Sequence, residues 1–456
     1  MIDEVSMVGS GMMQQISKVL CEAKQELSLP FGGLTMIFAG DFFQLQPISK
    51  DPLFLRPKAV SHGEKTTLTN RRLGWARWNR ITDVIFLKTQ HRMKDKIYRD
   101  FVRRFRTGET TSDDESYLRT QTITRKHNPL AHLTERPIVI VKNNDFRCAI
   151  NFNSSYQLAS QTSQKLLFCV ALDKCTNQRM NDRVRRDVLL KLDGGSTNYG
   201  AGLLPLLVGM PVMFRCNIGT ELGVCNGTMG TIVRIEVDEK EKIDYTDDKP
   251  HYLRFEPIVY VKIITKKQDD GTYEIKFQLP GLEPNVFPVS RCSKMKNLNR
   301  KMEFIHVDPE TLTPYHVSRK QLWFLPAFSI TVDSSQGRTL HQAIVHLAGK
   351  YSTSEKPYVM LSRLTRGSAL GVIGSWEKNL FSLKPNENMM DHIETVLRPK
   401  EQATRLRIDK NKHDIPSLET LLWKSKKPDQ TRNTRKNRAN VKTRCTGKCE
   451  KDNCTC

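Results

Sequence analysis

No apolar run in this 456-residue chain is long enough to span a bilayer. The longest, Gly202 to Phe214, is broken by Pro205, Gly209 and Pro211 and falls short of the ~20 residues a spanning helix needs. No basic stretch followed by an apolar core opens the sequence, so it carries no secretory pattern. Negative charge is scarce: 49 Asp+Glu face 72 Lys+Arg, a formal net charge of +23. An imbalance of that size anticipates a polyanionic partner, nucleic acid before a membrane surface. A disulfide framework is not expected either. Seven of the 11 cysteines stand alone, as reduced thiols do in intracellular proteins, and only the last four cluster. No internal repeat of steady period is present, which argues against a solenoid.

The stretch around which the rest is arranged is Gly32 to Ile48, GGLTMIFAGDFFQLQPI. Leu34–Ala39 has the length and character of a strand buried on both faces, and it stops at Gly40. Polar groups just past such a strand are where open α/β sheets hold ligands, which singles out Asp41 and Gln44. Upstream, Asp3-Glu4 follows only two apolar residues; an acidic pair at a strand end suits Mg²⁺ binding and water activation in a nucleotide hydrolase. Helical spacing then runs from Met12 or Met13 through Ile16 to Ala23, closed by Pro30. Helix followed by strand is the alternation of a parallel α/β sheet.

Farther along, Arg71, Arg72, Trp75, Arg77, Trp78 and Arg80 share a stretch that reads either as aromatics and arginines clamping nucleotides or, the favoured reading, as a helix with tryptophans inward and arginines solvated. Val84–Leu87 reads as a short strand. Asp95 is placed to cap a helix carrying Ile97, Phe101 and Phe105 on one face and a solvated basic face of Lys96, Arg99, Arg103 and Arg106, with Gly108 as its stop. Pro137–Val141 reads as a buried strand. From about Val208 to Leu325, short β-branched runs, Tyr273–Phe277 among them, alternate with turns such as Asn226-Gly227, the texture of a small antiparallel β-domain or barrel. Ile344–Leu347 and Leu370–Ile373 resume the α/β pattern. Residues 398–456 hold 17 Lys/Arg against 7 Asp/Glu and few large apolar side chains, and so read as a flexible basic tail. Within it, Lys424–Arg438 has the look of a nuclear-import or nucleic-acid patch. Cys445, Cys449, Cys454 and Cys456 offer four thiolates for zinc, at spacings that match no standard ribbon.

Taken in order, Asp3-Glu4, Gly40–Leu45 (GDFFQL), Gln90-His91-Arg92, Ser334–Leu340 (SSQGRTL) and Tyr358–Arg363 (YVMLSR) resemble the successive motifs of the petite-integration-frequency (Pif) helicases, superfamily-one relatives of RecD. Residues 209–233 resemble the β-barrel insertion of the same helicases, and the likeness extends over roughly residues 1–375. It implies an α/β protein with two RecA-like P-loop NTPase domains, the first truncated, an inserted β-barrel and a disordered basic tail. The expected segments are 1–82, 83–207 with 326–385, 208–325 for the barrel, and 386–456 for the tail. The activity implied is ATP-dependent 5′→3′ DNA unwinding of the repair, recombination or telomere-maintenance type, by a monomeric nuclear or mitochondrial motor away from any membrane. Single-stranded DNA, DNA junctions and RNA–DNA hybrids are the implied partners, ATP and Mg²⁺ the cofactors. Asp3 would hold Mg²⁺ through water, Glu4 would polarise the attacking water, and Gln44 would sense the γ-phosphate. Arg92 and Arg363 would act as arginine fingers, with Gly337 also in the ATP site, and Thr331, Ser335, Gln336 and Gly337 would meet DNA.

Three departures qualify the likeness. G-x-x-x-x-G-K-[ST], the loop that cradles phosphates, occurs nowhere in the 456 residues. The expectation is a C-terminal part of a helicase, without ATPase on its own. Asp333-Ser334 stands where the family has His-Lys, which predicts weaker grip on phosphates. His91 and Met93 flank Arg92 in place of Phe and Gln. The competing expectations are a non-enzymatic DNA- or RNA-binding remnant and a zinc-bearing adaptor.

Overall fold

A computed structural model describes residues 1–49, 51–58, 65–133, 136–191, 193, 197, 200–265, 272–291 and 302–410. By internal contacts the chain divides into two units: Met1–Ile81 with Phe86–Arg398, and Thr82–Ile85 with the chain from Pro399 onward.

In the first unit, α1 (Ser10–Lys24) packs on α2 (Lys65–Asn79). Trp78 turns inward as expected, 5% exposed, and two arginines of its helix find partners: Arg71 lies 3.7 Å from Asp51, and Arg77 donates to Ser17. Leu34–Ala39 departs from expectation. It forms no continuous strand, only a parallel bridge between Ile2 and Phe38. Phe38 packs against Phe31 and Trp78, but Leu34 is 40% and Ile37 59% exposed. Burial on both faces requires a layer on each, and the described residues supply one. The strand expected at Val84–Leu87 is likewise absent, since those residues pair with no neighbouring strand among those described.

Asp95 caps α3 (Lys96–Thr107) by accepting from the Tyr98 amide, and Gly108 ends the helix. Tyr98, Phe101, Val102 and Phe105 are buried, whereas Ile97 falls on the outer face at 70% exposure. After α4 (Ser112–Thr120) come β1 (Ile138–Val141), α5 (Asn144–Thr162), β2 (Leu167–Val170), β3 (Leu172–Cys175), α6 (Asp182–Leu190) and β4 (Leu203–Leu206). The later part of the chain adds β5 (Pro211–Phe214), β6 (Met229–Glu236), β7 (His251–Leu253), β8 (Ile258–Ile263), β9 (Val286–Val289), β10 (Met302–Val307), β11 (Pro314–Lys320), β12 (Phe324–Pro326) and β13 (Ser329–Thr331). It closes with α7 (Val332–Ser335), β14 (Ala343–His346), α8 (Glu355–Leu361), β15 (Leu370–Ile373), α9 (Glu387–His392) and α10 (Arg398–Lys410).

A four-stranded parallel sheet, order β13-β1-β14-β15, forms the α/β core. Parallel strands need covered faces, and the near-continuous apolar β1 and β15 fit that demand. Asn151 pins α5 to the sheet, donating to the carbonyls of Pro326 and Ser329 and accepting from the Ser329 amide at 2.8 Å. The inserted β region is a five-stranded antiparallel sheet, order β12-β5-β6-β8-β9. Among the described residues its two edges do not pair, so the sheet is open rather than the expected closed barrel. Its outer strands carry Pro326 and Pro288, which lack the N–H donors that closure would use. Tyr273–Phe277 forms no strand, although Phe277 is buried in the core of this sheet. The insert is also stitched to its surroundings: β7 pairs with β2, and β11 with β3.

The region expected to be a flexible tail begins as helix. A π-helical turn, Ile393–Leu397, joins α9 to α10, so helix runs from Glu387 to Lys410. Composition alone underrated it, because a few well-placed groups suffice: Met389, His392 and Ile393 are buried, and the Trp78 indole N–H donates to His392 Nε2 at 3.0 Å. Lys424–Arg438 and the four terminal cysteines lie outside the described residues.

Candidate active site

The loop after Phe38 is the hub. A Cβ at Gly40 would lie 2.7 Å from the Val5 amide nitrogen, so the lack of a side chain there lets the Asp3-Glu4 segment run against the loop. Val5 N–H donates to the Ala39 carbonyl at 2.9 Å. Glu4 itself sits in the left-handed region, φ 53° and ψ 45°, a conformation uncommon outside glycine and often stored at working sites. Asp3 is exposed, and its Oδ1 accepts from the Glu4 amide at 2.8 Å.

Successive residues of the hub reach different partners. Asp41 takes a two-pronged ion pair from Arg106 at 2.8 and 3.2 Å, accepts from the Tyr358 hydroxyl at 3.3 Å, and receives the Phe43 amide. Burial and the Asp41 carboxylate hold the Tyr358 phenol well above its ordinary value. Phe42 and Phe43 are packing residues. Phe42 meets Phe54 and Trp78 edge-on, and the Arg106 guanidinium lies 3.8 Å from the centre of the Phe43 ring. Gln44 Oε1 accepts from Arg363 Nη2 at 3.3 Å. The Leu45 amide donates to Gln336 Oε1 at 3.3 Å, and the Gln336 Nε2 donates onward to Glu4 Oε2 at 2.8 Å.

Arg363 is the least comfortable group in the cluster. It is 1% exposed and lies at the end of α8. Its Nε donates to the Val359 carbonyl at 2.9 Å and its Nη2 to Ser362 Oγ at 2.7 Å, but its Nη1 has no hydrogen-bond partner. No carboxylate among the described residues forms an ion pair with it. Burial, with Arg92 nearby adding like charge, pushes it down to about 10. Arg92, half-buried, donates to the Ser362 carbonyl at 3.2 Å, so both guanidinium groups lean on the same residue.

The structure thus brings Glu4, Gln44, Arg92, Arg363 and Gln336 into one constellation. Gly337 joins it: a Cβ there would lie 3.3 Å from Glu4 Oε1, and its φ of 74° suits glycine. The residues assigned to DNA are less outward than expected. Ser335 is fully buried and donates to the Val332 carbonyl, Thr331 caps α7 through the Ser334 amide, and Gln336 turns toward Glu4; Asp333, Gly337 and Thr339 are the exposed positions. Arg106 and Tyr358 escaped the sequence reading. Arg106 belongs to a helix face of arginines that looks solvated, and nothing in its spacing marks it as Asp41's partner. Among the described residues no group of three or more His, Cys, Asp and Glu side chains is arranged around a metal position.

Residues 1–114 match the family model described as PIF1-like helicase. The chain is 22% identical over 440 residues to the ATP-dependent DNA helicase PIF1 of Saccharomyces cerevisiae, covering 82% of this chain and 47% of that protein. It is 23% identical over 405 residues to the ATP-dependent DNA helicase Pif1 of a Psychrobacter species, covering 82% and 53%. The chain therefore spans about half the length of these relatives. In structure it is similar to the Pif1 helicase of Candida albicans, with TM-score 0.55 at 19% identity over 87% of this chain and 76% of that one. The Bacteroides Pif1 helicase crystallised with ADP-AlF3 and single-stranded DNA gives TM-score 0.55 at 17% identity over 86% and 74%. The mixed α/β architecture is accordingly that of the solved Pif1 helicases, and residues 1–114 carry the match to the PIF1-like helicase family.

Proposed function

We propose that the chain carries the ATP-responsive motor of a 5′→3′ DNA helicase. The observation that carries this reading is Arg363, a buried guanidinium with no acid partner and one idle Nη1, flanked by Arg92 and Gln44. A terminal phosphate is the group that satisfies it: two forked cations suit phosphate oxygens and would stabilise charge on a transferring phosphoryl group. Glu4 would polarise the attacking water, and Gln44 would contact the γ-phosphate or that water. Asp3 would hold Mg²⁺ through its water shell; bound there, the ion would neutralise charge on the phosphate oxygens.

ATP would draw residues 1–82 toward the second RecA-like part, 83–207 with 326–385, and hydrolysis would release them. The inserted sheet (208–325), the loop Thr331–Gly337 and the basic region 386–456 would meet single-stranded DNA, junctions or RNA–DNA hybrids, in a monomeric, nuclear protein of DNA repair, recombination or telomere maintenance. With Ser335 buried, the contact from the loop would come from its backbone and from exposed Gly337. Because G-x-x-x-x-G-K-[ST] is not among the 456 residues, these residues alone would not turn ATP over.

Calorimetric titration tests the reading. Arg363 and Arg92 address only the terminal phosphate, so ATPγS should bind about tenfold or more tightly than ADP, the worth of a charge-assisted hydrogen bond. Arg363→Ala should erase that preference. Equal binding of the two nucleotides overturns the assignment. Salt-sensitive DNA binding indifferent to nucleotide and to Arg363→Ala would instead mark a non-enzymatic binding protein. DNA-stimulated ATP turnover by the chain, abolished by Glu4→Gln, would refute its inactivity.

A further inference from the structure

Gln336 entered the sequence reading as a DNA contact, but its side chain points the other way. One amide spans two loops of the N-terminal segment. Its Nε2 donates to Glu4 Oε2 at 2.8 Å and to Ser6 Oγ at 3.4 Å, while its Oε1 accepts from the Leu45 amide at 3.3 Å. Both ends of a glutamine amide are thereby used, and used on residues flanking the carboxylate and Gln44. Two residues farther on, Arg338 is anchored on the inserted sheet. Its Nη2 donates to the carbonyl of Gly227, in the turn between β5 and β6, and its Nε holds the Ser334 carbonyl at 2.6 Å. Burial pushes Arg338 below its ordinary value, as expected of a guanidinium that meets carbonyls rather than carboxylates.

We propose that Gln336 is a positioning residue for Glu4, and that the short segment Gln336–Arg338 ties the aim of that carboxylate to the inserted sheet. The inference rests on the phosphate-site reading above and deepens it by naming a regulator of the site. Glu4 needs outside support because its own backbone is held in the left-handed region, where no helix or strand ladder fixes the side chain. Gln336 supplies that support from the segment that follows β13 and α7. Gly337 permits the approach, since a Cβ there would meet Glu4 Oε1. Displacing the Asn226-Gly227 turn, as a strand bound against the inserted sheet would do, pulls on Arg338 and reorients Gln336. Nucleic acid on the insert and phosphate at Arg363 are then coupled through two side chains rather than through a general closure.

Two measurements on the full chain test this. The first is the coupling factor, the ratio of dissociation constants for a single-stranded oligonucleotide measured without and with ATPγS. By linkage it equals the effect of the oligonucleotide on ATPγS, and a typical allosteric value is about 5–150-fold. Gln336→Glu, which keeps the shape but cannot donate to Glu4, and Arg338→Met should each bring the factor to about 1, with melting temperatures near that of the parent. A retained factor in either variant overturns the relay. The second is hydrogen exchange over residues 42–46. Gln336→Ala should speed exchange at Leu45, whose amide loses its acceptor, and oligonucleotide should alter exchange there in the parent but not in Arg338→Met. No response in the parent overturns the relay even if ATPγS still outbinds ADP. Loss of the ATPγS preference with the exchange response intact would instead overturn the phosphate reading and leave the mechanical link standing.

Discussion

Arg319 and Arg363 are both buried, and their two regions of the molecule treat them differently. Beneath the β3–β11–β10 sheet, Arg319 has a fully buried side chain and every arm is used. Asp173 takes two prongs at 2.7 Å each, and the carbonyls of Gly200 and Val188 take the rest at 2.8 Å. Beside Gln44, Arg363 is as deeply buried but meets only a serine hydroxyl, a carbonyl and a distant amide oxygen, with Nη1 idle and Arg92 beside it. Removing a charge from water costs several kcal/mol, and only paired geometry returns it. Arg319 is repaid within the fold, and Arg363 is not. Under the proposed reading, the partner that Arg363 lacks within the fold is a phosphate that arrives from outside.

The comparison can be broken most forcefully at Asp173. Asp173→Ala strands Arg319, and urea unfolding should show a loss of about 3–5 kcal/mol with the ATPγS preference unaltered. At the other site the sign should reverse. Arg363→Met removes an unpaid charge, so the ligand-free chain should be more stable by roughly 1 kcal/mol while the ~10-fold preference for ATPγS disappears. A destabilised Arg363→Met would mean that this arginine is structural after all. A smaller effect is expected at Asp41→Asn, which leaves Arg106 with a weaker partner. Unfolding should cost about 1 kcal/mol, and Arg363→Met should add to it with little interaction if the Arg106 pair is separate from the phosphate site.

The smallest effect concerns pH. His306 is 7% exposed, and neither ring nitrogen has a hydrogen-bond partner. Burial first, then Lys191, holds it below its ordinary 6.5, against the opposing pull of Asp187 and Asp308. Its neutral ring therefore contributes stability that is fully present above about 6.5 and lost as pH falls through that value toward the folded-state pKa. His306→Phe should flatten the fall in melting temperature between pH 7 and 5, and an unchanged slope would place the acid sensitivity elsewhere.

The order of the motifs named several residues that the structure brings together. Glu4, Gln44, Arg92 and Arg363 lie hundreds of positions apart, yet Arg363 meets Gln44, Arg92 leans on Ser362, and Gln336 links Glu4 to the Leu45 amide. What the sequence could not convey was partnership. Arg106 and Arg103 look alike on a helix of arginines, but only Arg106 is turned under Asp41. Composition foretold a loose tail from residue 398 and the implied domain division placed it from 386, yet buried His392 against Trp78 helps hold α9, because order there depends on where a side chain lands rather than on composition. Leu34–Ala39 shows the reverse: its residue types are those of a covered strand, and cover is a property of neighbours.

The sequence by itself determined the α/β alternation, the Asp95 cap, the basic excess and the chemical types at the candidate site, since these follow from local pattern and residue identity. The tertiary structure decided that the inserted sheet is open, that Arg319 is satisfied while Arg363 is not, and that Gln336 faces Glu4 rather than solvent. Those facts depend on which groups, hundreds of residues apart, come within hydrogen-bond reach. The hub at Asp41–Leu45 joins the two levels: its residue types mark it in the chain, and only its partners give it work to do.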